Sequence, residues 1–525
     1  MRPLSFTSAL EHTYARDIPG GSAPAAPQAA PQPRLLWFNR DLAQELGLPT
    51  DGVSDDDLAQ CFSGNALPTG SQPVAQAYAG HQFGRFSPQL GDGRALLLGE
   101  LRAPDGSLCD LALKGSGRTP FSRGGDGLAA VGPMLREALM GESLHALGVP
   151  TTRALAVVAT GGTVRRDTAL PGAVLCRVAA SHIRVGTFEY FAAREDTAAL
   201  QALLAHTVAR HDPTLAALPA EEQALALLQA VVRRQAHLIA QWMDIGLIHG
   251  VMNTDNMTLS GETIDFGPCA MLEAHDPAAV FSSIDLGGRY AYGNQPRIAA
   301  WNLARLAEAL LPLMVPPSAD PAAAIPAATE AVQAFASHYG AARLALARSR
   351  WGLDAPGPAD AALDAGDNRL LDDWLALLHA HRVDHTLAGW HLAGAWPGAG
   401  MGAGMGANTG ASGGLHALFG AEAQAPLNAW LARWQQRLAQ AGPGTMPAAQ
   451  ARARLRQHSP WIIARNHRVE EALAAATAGD LAPFDALMAA LRQPFSPDGQ
   501  DARRAPYAEA AAPDITAGYQ TFCGT

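Results

Sequence analysis

The alternation of apolar and polar positions separates a stretch of short strands from a longer stretch of helices. Residues 95–100 and 108–114 are short apolar runs of the kind that form buried strands, and the runs at 154–158 and 173–178 share this character. Between them, residues 133–147 repeat their apolar positions at helical spacing. We therefore expect this part of the chain to form a sheet with one helix packed against it.

Beyond about Thr197 the pattern changes to long helices rich in Ala, Leu and Gln, and residues 222–246 are the clearest example. Residues 249–267 interrupt the helices with a loop and a hairpin, after which Ala-rich helix predominates. Two segments have loop composition, an Ala/Pro/Gln-rich one at 18–33 and a Gly-rich one at 394–414. The fold class predicted from this pattern is α+β.

Composition indicates a cellular setting and excludes some partners. The chain has 525 residues, of which 48% are apolar and 16% are charged, so it can bury a sizeable core. Its formal net charge of -10 offers no general attraction to nucleic acid or to an anionic membrane, and neither is expected as a partner. The five cysteines include no Cys-x-x-Cys pair, and no signal peptide or membrane-spanning run is recognisable. A soluble, cytoplasmic protein is expected.

The strongest chemical signal is a pair of neighbouring motifs. Residues 249–256 read HGVMNTDN, and residues 263–267 read TIDFG. Kinases hold their metal with the Asn that ends an HxDxxxxN loop and with the Asp of a following Asp-Phe-Gly. An amide oxygen and a carboxylate suit a hard cation that keeps waters and bridges phosphates. Asn256 and Asp265 are therefore predicted to bind Mg²⁺ or Mn²⁺, with ATP as the substrate.

Upstream residues complete a phosphate site. Residues 111–114 read LALK, which is similar to the strand that carries the phosphate-binding lysine of kinases. Glu137 follows on the packed face of the predicted helix, where it is placed to hold Lys114. The Gly-Asp-Gly-Arg turn at 91–94 can bring backbone N–H groups close to phosphate oxygens.

Position 251 departs from the kinase pattern. Kinases keep an aspartate two residues after the His to accept the proton of the attacking hydroxyl, and this chain has Val251 there. The nearest carboxylate is Asp255, which can serve as the base or only orient Asn256 or a water. Because the base is displaced while the metal ligands are intact, the pattern indicates that the hydroxyl attacks a different phosphorus from the one that kinases transfer. Five arginines nearby can bind phosphate: Arg94, Arg118, Arg123, Arg177 and Arg184. Of these, Arg118 and Arg123 can equally be solvated surface residues.

Five segments together resemble the selenoprotein O family of kinase-like protein adenylyltransferases. They are YAGHQFGRFSPQLGDGRALLLGE (78–100), LKGSGRTPFSRGGDGLAAVGPMLREALMG (113–141), RVAASHIRVGTFEY (177–190), HGVMNTDNMTLSGETIDFGP (249–268) and WIIARNH (461–467). The resemblance implies an ATP bound in reverse relative to kinases. Its α-phosphate would meet a Ser, Thr or Tyr hydroxyl of a target protein, and AMP would be transferred.

The resemblance also implies a role for each matching position. Asp255 would be the catalytic base, and Asn256 and Asp265 would bind the metal. The nucleotide would be held by Gly91, Gly93, Arg94, Lys114, Asp126, Gly127, Arg177, Arg184 and Asp265, with Glu137 bracing Lys114. Some family members carry selenocysteine near the C-terminus, where this chain has Cys523.

The implied fold is protein-kinase-like, with two lobes and helical extensions at both ends. The expected units are an N-terminal extension (1–77), a β-rich small lobe (78–195), a helical large lobe with the catalytic loop (196–317) and a C-terminal helical extension (318–525).

Two other functions stay open at this point. A small-molecule phosphotransferase of the aminoglycoside or choline kinase type has similar loops but needs an aspartate at position 251. A non-catalytic, ATP-binding pseudokinase would have little need to retain Asn256 and Asp265.

Overall fold

The computed structural model describes residues 9–353, 361–397, 413–441, 446–496, 499 and 501–522. Most of the Gly-rich segment predicted at 394–414 lies outside these residues, as does the cysteine at position 523. The described chain contains one large sheet, two further pairs of strands and many helices. This confirms the predicted α+β class.

Strands lie mainly in the first third of the chain. They are β1 (Ser22–Pro24), β2 (Arg34–Phe38), β3 (Val74–Gln76), β4 (Gly80–Gln82), β5 (Arg85–Ser87), β6 (Ala95–Arg102), β7 (Leu108–Lys114), β8 (Ala129–Ala130), β9 (Arg153–Arg165), β10 (Ala169–Ala179), β11 (Leu247–Ile248) and β12 (Ala270–Met271). The four strands predicted from apolar runs are present as β6, β7, β9 and β10. β9 and β10 extend beyond those runs because their outer ends pair with each other away from the core.

Eight of the described strands form one antiparallel sheet in the order β1-β3-β6-β7-β10-β9-β2, with β8 beside β10. Both edge strands, β1 and β2, precede residue 78, so the first part of the chain completes this sheet. β7 lies between β6 and β10, and its last residue, Lys114, pairs with Ala95 on one side and Leu175 on the other. The register thus anchors Lys114 at the end of a central strand.

Helices make up most of the remaining chain. They are α1 (Thr13–Asp17), α2 (Arg40–Glu45), α3 (Asp55–Ser63), α4 (Val131–Ala146), α5 (Val185–Ala192), α6 (Thr197–His211), α7 (Ala220–Ile245), α8 (Gln295–Leu310), α9 (Ile325–Trp351), α10 (Ala361–Ala380), α11 (His385–Leu392), α12 (Gly413–Phe419), α13 (Gln424–Ala441), α14 (Ala448–His458), α15 (Asn466–Thr477), α16 (Ala482–Leu491), α17 (Ala505–Ala508) and α18 (Pro513–Thr516). The helices predicted at 133–147 and 222–246 are α4 and α7, with bounds shifted by one or two residues.

Two features of the chain place the motif-bearing loop. Gly246 adopts a left-handed backbone (φ 77°), which only glycine takes up readily, and this ends α7. β11 follows at once and pairs with β12. The two short strands therefore close the base of the loop 249–269, which contains both sequence motifs. α4 packs on the sheet beside it, and twelve of its sixteen residues are buried.

The C-terminal helices share a core with the sheet. α15 and α16 contact α4, and Ile462 and Phe484 are fully buried in the same apolar cluster. A second apolar core forms between the end of α9 and the helices α10 to α14. No helix within the described ranges is both long and apolar enough to cross a membrane.

A buried ion cluster ties the C-terminal part to the loop that follows β12. The guanidinium of Arg465 is fully buried and donates to Asp384, at 2.6 Å, and to Glu273. Burial raises the pKa of Glu273 to about 7, although the charge of Arg465 opposes the shift. The two carboxylates therefore depend on the arginine as their partner in a desolvated setting.

We expect Arg465→Met to lower the free energy of unfolding by about 3–5 kcal/mol, because it leaves two buried carboxyl groups without their cation. Urea denaturation followed by circular dichroism measures the change. Arg468→Met is the matched control, since Arg468 forms a half-exposed ion pair with Glu471, which typically contributes only about 0–1 kcal/mol. Equal losses in the two variants would contradict a structural role for the buried cluster.

Candidate active site

A buried lysine links the sheet, α4 and the motif-bearing loop. The Nζ of Lys114 donates to Glu137 Oε1 at 2.7 Å and to Asp265 Oδ1 at 2.5 Å. The lysine and glutamate side chains are almost completely buried, and the aspartate is partly exposed. The pairing of Lys114 with Glu137 that the sequence predicted is present in the structure.

Arg177, on β10, adds a second cation to this group. Its Nη1 donates to Asp265 Oδ1 at 2.9 Å and lies 3.8 Å from Glu137 Oε2. Arg184, just before α5, lies 3.7 Å from the other oxygen of Asp265. Burial by itself would raise the pKa of Asp265, but the three cations outweigh it and hold that pKa well below its usual value. Asp265 is therefore ionised throughout the physiological range.

Arg184 also organises the far side of the site. Its Nη1 donates to the backbone oxygen of Asp255 at 3.0 Å, and its Nη2 lies 3.8 Å from Asp92. Its guanidinium stacks over the ring of Tyr78, with 4.5 Å to the ring centroid. A single buried arginine thus holds the loop 249–269 against the segment that precedes β6.

The two carboxylate oxygens of Asp255 differ in their hydrogen bonding. Oδ2 accepts a hydrogen bond from Gln82 Nε2 at 3.0 Å. Oδ1 is buried and has no hydrogen-bond partner within the part of the chain that the structure describes. Burial raises the pKa of Asp255 to about 6, against the opposing effects of Gln82 and Arg184. A buried carboxylate with a free oxygen and a raised pKa is suited to accept a proton.

Asn256 and Val251 occupy the same turn of the loop. Asn256 Nδ2 donates to the backbone oxygen of Val251 at 2.9 Å, which uses the donor side of the amide and leaves its oxygen for a cation. Val251 is buried, with 5% of its surface exposed. Its aliphatic side chain can take no part in proton transfer.

Glycines line the opposite wall where side chains would not fit. At Gly91 (φ 74°) a Cβ would collide with the ring of Phe121, and at Gly93 it would lie 3.1 Å from the backbone oxygen of Phe121. At Gly127 (φ 69°) a Cβ would collide with the backbone of Gly117. The packing of the cavity wall on itself therefore favours glycine at these positions.

The remaining charged residues near this wall differ in their ion pairs, their exposure and whether they line the site. Asp126 forms an ion pair with Arg166 at 2.8 Å. Arg123 is exposed but borders the same space as Arg94, whereas Arg118 is exposed and does not line it. Of the five arginines considered from sequence, Arg118 is therefore the one outside the site.

Apart from Arg118, the charged groups described above surround one cavity of about 420 Å³. It is lined by each residue predicted for the site: Gly91, Gly93, Arg94, Lys114, Asp126, Gly127, Glu137, Arg177, Arg184, Asp255, Asn256 and Asp265. Lys114, Asn256 and Asp265 thus face one common space. The function of each residue stays a prediction.

The donor atoms of Asn256 and Asp265 fit one type of metal ion. Within the described ranges, no group of three or more His, Cys, Asp and Glu side chains is arranged to hold a metal by itself. Asn256 and Asp265 instead supply one amide oxygen and one carboxylate to the cavity. Such a pair fits a cation of the Mg²⁺ type, which takes its other ligands from water and phosphate oxygens.

Further residues that shape the cavity were not predicted from the sequence. They include Tyr78, Gln82, Asp92, Arg166 and Asn253. Most of them lie in segments that carry the family resemblance, but no periodicity or spacing distinguished them. Their contacts join residues far apart in the chain, so only the folded structure reveals them.

Known proteins of one family match nearly the whole chain. A family model described as "Protein adenylyltransferase SelO" matches residues 10–492. The chain is 54% identical over 510 residues to the protein nucleotidyltransferase YdiU of Chromobacterium violaceum, which covers 97% of this chain and 100% of the relative. It is 52% identical to the protein of that name in Cereibacter sphaeroides (99% and 100% covered) and 50% identical to that of Pseudarthrobacter chlorophenolicus (99% and 99% covered).

The chain therefore belongs to the SelO family of protein adenylyltransferases, as the resemblance indicated. Membership makes it an enzyme of the nucleotidyltransferase class. Adenylyl transfer in turn implies ATP as the substrate.

We expect Gly127→Ala to weaken ATP binding at least about ten-fold, because a Cβ at this position forces the cavity wall to move against Gly117. Isothermal titration calorimetry with ATP and Mg²⁺ measures the effect. Gly124→Ala is the matched control: Gly124 also has a left-handed backbone (φ 89°), but a Cβ there would meet no described atom within 4 Å. If both variants bind ATP equally, the packing of Gly127 against Gly117 is unimportant for nucleotide binding.

Proposed function

We propose that the cavity binds ATP with Mg²⁺ or Mn²⁺ and that the enzyme transfers AMP to Ser, Thr or Tyr hydroxyls of target proteins, releasing pyrophosphate. The observation that carries the proposal is the convergence of Lys114, Asn256 and Asp265 on one cavity. At about 420 Å³, this cavity falls in the size range of small-molecule sites. Family membership supplies the class of reaction.

A protein-kinase-like arrangement is part of the proposal. A strand lysine paired with a helix glutamate, followed by a loop asparagine and an Asp-Phe-Gly aspartate, is the set of parts that kinases use. Here Lys114 is on β7, Glu137 is on α4, and both loop residues lie between β11 and β12. We assign the sheet with α4 to the small lobe and the helices around α7 and α8 to the large lobe.

The cations of the site would hold the triphosphate. Lys114, Arg177 and Arg184 are buried and converge on the single carboxylate of Asp265. Guanidinium and ammonium groups in a desolvated site bind phosphate oxygens strongly. With a nucleotide present, phosphate oxygens would share these donors with Asp265. A divalent cation held by Asn256 and Asp265 would add further neutralisation of phosphate charge.

The buried valine favours nucleotidyl transfer over phosphoryl transfer. Val251 fills the position from which a kinase aspartate would receive a proton, and it is buried in the cavity wall. The carboxylate that is present, Asp255, has a free Oδ1 and a raised pKa. We assign Asp255 as the base for a hydroxyl that attacks the α-phosphorus.

In the proposed reaction, a target hydroxyl displaces pyrophosphate from ATP. The hydroxyl oxygen of the target forms a bond to the α-phosphorus, and its proton passes to the carboxylate of Asp255. The bond between the α-phosphorus and the oxygen that bridges it to the β-phosphate breaks, and pyrophosphate leaves with the bonding electrons.

Family membership does not favour the phosphotransferase and pseudokinase alternatives.

Labelled ATP tests the reaction directly. We expect the wild-type enzyme, incubated with Mg²⁺ or Mn²⁺, to place label on protein from [α-³²P]ATP but not from [γ-³²P]ATP. Asp255→Asn should lower the rate by about 10²–10⁴-fold, because the base is lost while the ligands of the phosphates remain. Asp276→Asn is the control, since Asp276 is half-exposed and does not line the cavity. Protein label that arises only from the γ-phosphate would contradict the proposal.

A further inference from the structure

Three consecutive residues of the β4/β5 hairpin donate hydrogen bonds to three consecutive residues of the loop 249–269. The bonds run from His81 N to Thr254 Oγ1 (2.7 Å), from Gln82 Nε2 to Asp255 Oδ2 (3.0 Å) and from Phe83 N to Asn253 Oδ1 (3.1 Å). The partners in each pair are 170 or 173 residues apart in the chain. The hairpin therefore clamps the part of the loop that contains the proposed base.

The backbone of β4 also packs on the proposed base. A Cβ at Gly80, the first residue of β4, would lie 2.9 Å from Asp255 Oδ1 and 3.1 Å from Asp255 Cβ. The backbone oxygen of Asp255 is held separately, by Arg184 Nη1 at 3.0 Å. The hairpin is thus the part of the structure that confines the side chain of Asp255, while Arg184 holds its backbone.

A buried carboxylate on α5 joins the hairpin to the loop. Glu189 Oε2 accepts a hydrogen bond from the hydroxyl of Thr254 at 2.5 Å, and Glu189 Oε1 lies 2.5 Å from His81 Nδ1. Thr254 is fully buried, and only 5% of the surface of Glu189 is exposed. The Thr254 hydroxyl accepts from the backbone of His81 and donates to Glu189, so the three residues form a closed ring of hydrogen bonds. Hydrogen bonds in such a desolvated network strengthen one another.

The ring lies on the side of β4 that faces away from the cavity. Successive side chains of a strand point to opposite faces, so His81 and Gln82 extend in opposite directions. Gln82 lines the cavity, whereas His81, Thr254 and Glu189 do not. Glu189 therefore has no direct access to a bound substrate and can influence the reaction through the hairpin and the loop.

We propose that Glu189 is a positioning residue for AMP transfer: by binding Thr254 and His81 it fixes the hairpin on the loop, and the hairpin orients the carboxylate of Asp255. This inference rests on the proposed function, because it requires Asp255 to act on the attacking hydroxyl. Correct placement of a reacting group raises the rate of the chemical step. Binding of ATP depends on other elements, since Lys114 and Arg177 lie on β7 and β10.

Paired substitutions of Thr254 separate its hydrogen bonds from its packing. Thr254→Val keeps the shape of the side chain and removes the hydroxyl, whereas Thr254→Ser keeps the hydroxyl and removes a methyl group. AMP transfer from [α-³²P]ATP to casein gives kcat and the KM for ATP, and isothermal titration calorimetry gives the Kd of ATP. We expect Thr254→Val to lower kcat at least about ten-fold with the Kd unchanged, since a small misplacement of a reacting group can cost about 10²-fold. Thr254→Ser should retain most of the wild-type kcat.

Substitutions of Glu189 test the ring from its other side. Glu189→Leu removes both acceptor oxygens and should lower kcat in the same way as Thr254→Val. Glu189→Gln should retain most of the wild-type kcat, because its amide oxygen can accept from Thr254 and its amide N–H can donate to Nδ1 of a neutral His81. This second pair decides the question in the same terms if Thr254→Val does not fold.

Thr207→Val is the matched control. Thr207 is also fully buried, but its hydroxyl donates within its own helix, α6, to the backbone oxygen of Leu203 at 2.7 Å. This variant should keep the wild-type kcat. Urea denaturation followed by circular dichroism establishes that each variant is folded under the conditions of the assay.

Three results would overturn the inference. They are equal losses of kcat in Thr254→Val and Thr254→Ser, which would assign the side chain to packing alone, a wild-type kcat in Thr254→Val, and a loss of rate that arises from weaker ATP binding alone. Each leaves the proposed function intact, because the wild type still transfers AMP. Absence of transfer from the α-phosphate by the wild type would overturn the proposed function, and the inference with it.

Discussion

The buried ammonium of Lys114 is the constraint on which the rest of the site depends. A lysine that is almost fully removed from water is tolerated only with closely placed anions. Glu137 and Asp265 supply them at 2.7 and 2.5 Å, and they come from a helix and a loop that are distant in sequence. The end of β7, the packed face of α4 and the loop closed by β11 and β12 must therefore meet at one point. The cavity is the space that this meeting leaves open.

The same ion cluster explains why the cavity suits a nucleotide. Three buried cations share the carboxylate of Asp265, so the site has more donors than one aspartate can satisfy well. Phosphate oxygens are the natural partners of such donors. At positions 91 and 127 a Cβ would collide with Phe121 or with Gly117, so the packing of the cavity wall favours glycine there. Val251 keeps one part of the wall apolar. The carboxylate that has an oxygen without a hydrogen-bond partner in the described structure belongs to Asp255, four residues further along the chain.

Sequence reasoning reached the parts of the site that depend on local pattern. Lys114 ends an apolar strand and Glu137 lies on the buried face of a helix, so strand and helix periodicity placed both. Asn256 and Asp265 stood out because they belong to short motifs with a fixed spacing. Family resemblance, rather than pattern, pointed to Asp126 and Gly127.

Other parts could not be read from the chain because they arise from contacts between distant segments. Gln82 meets Asp255 across 173 residues, and Arg465 meets Glu273 across 192. The contribution of β1 and β2 to the edges of the sheet escaped detection for a similar reason, since short edge strands have little periodicity of their own. Polar outer ends of β9 and β10 likewise lacked an apolar pattern.

The most direct measurement is a crystal structure of the enzyme with Mn²⁺ and the α,β-methylene analogue of ATP, in which anomalous scattering locates the metal. The expected result is a manganese peak within coordination distance of the amide oxygen of Asn256 and the carboxylate of Asp265, with the ammonium of Lys114 in contact with a phosphate oxygen. A peak away from both residues, or a triphosphate that does not touch Lys114, would contradict a metal-nucleotide site built on the buried ion cluster.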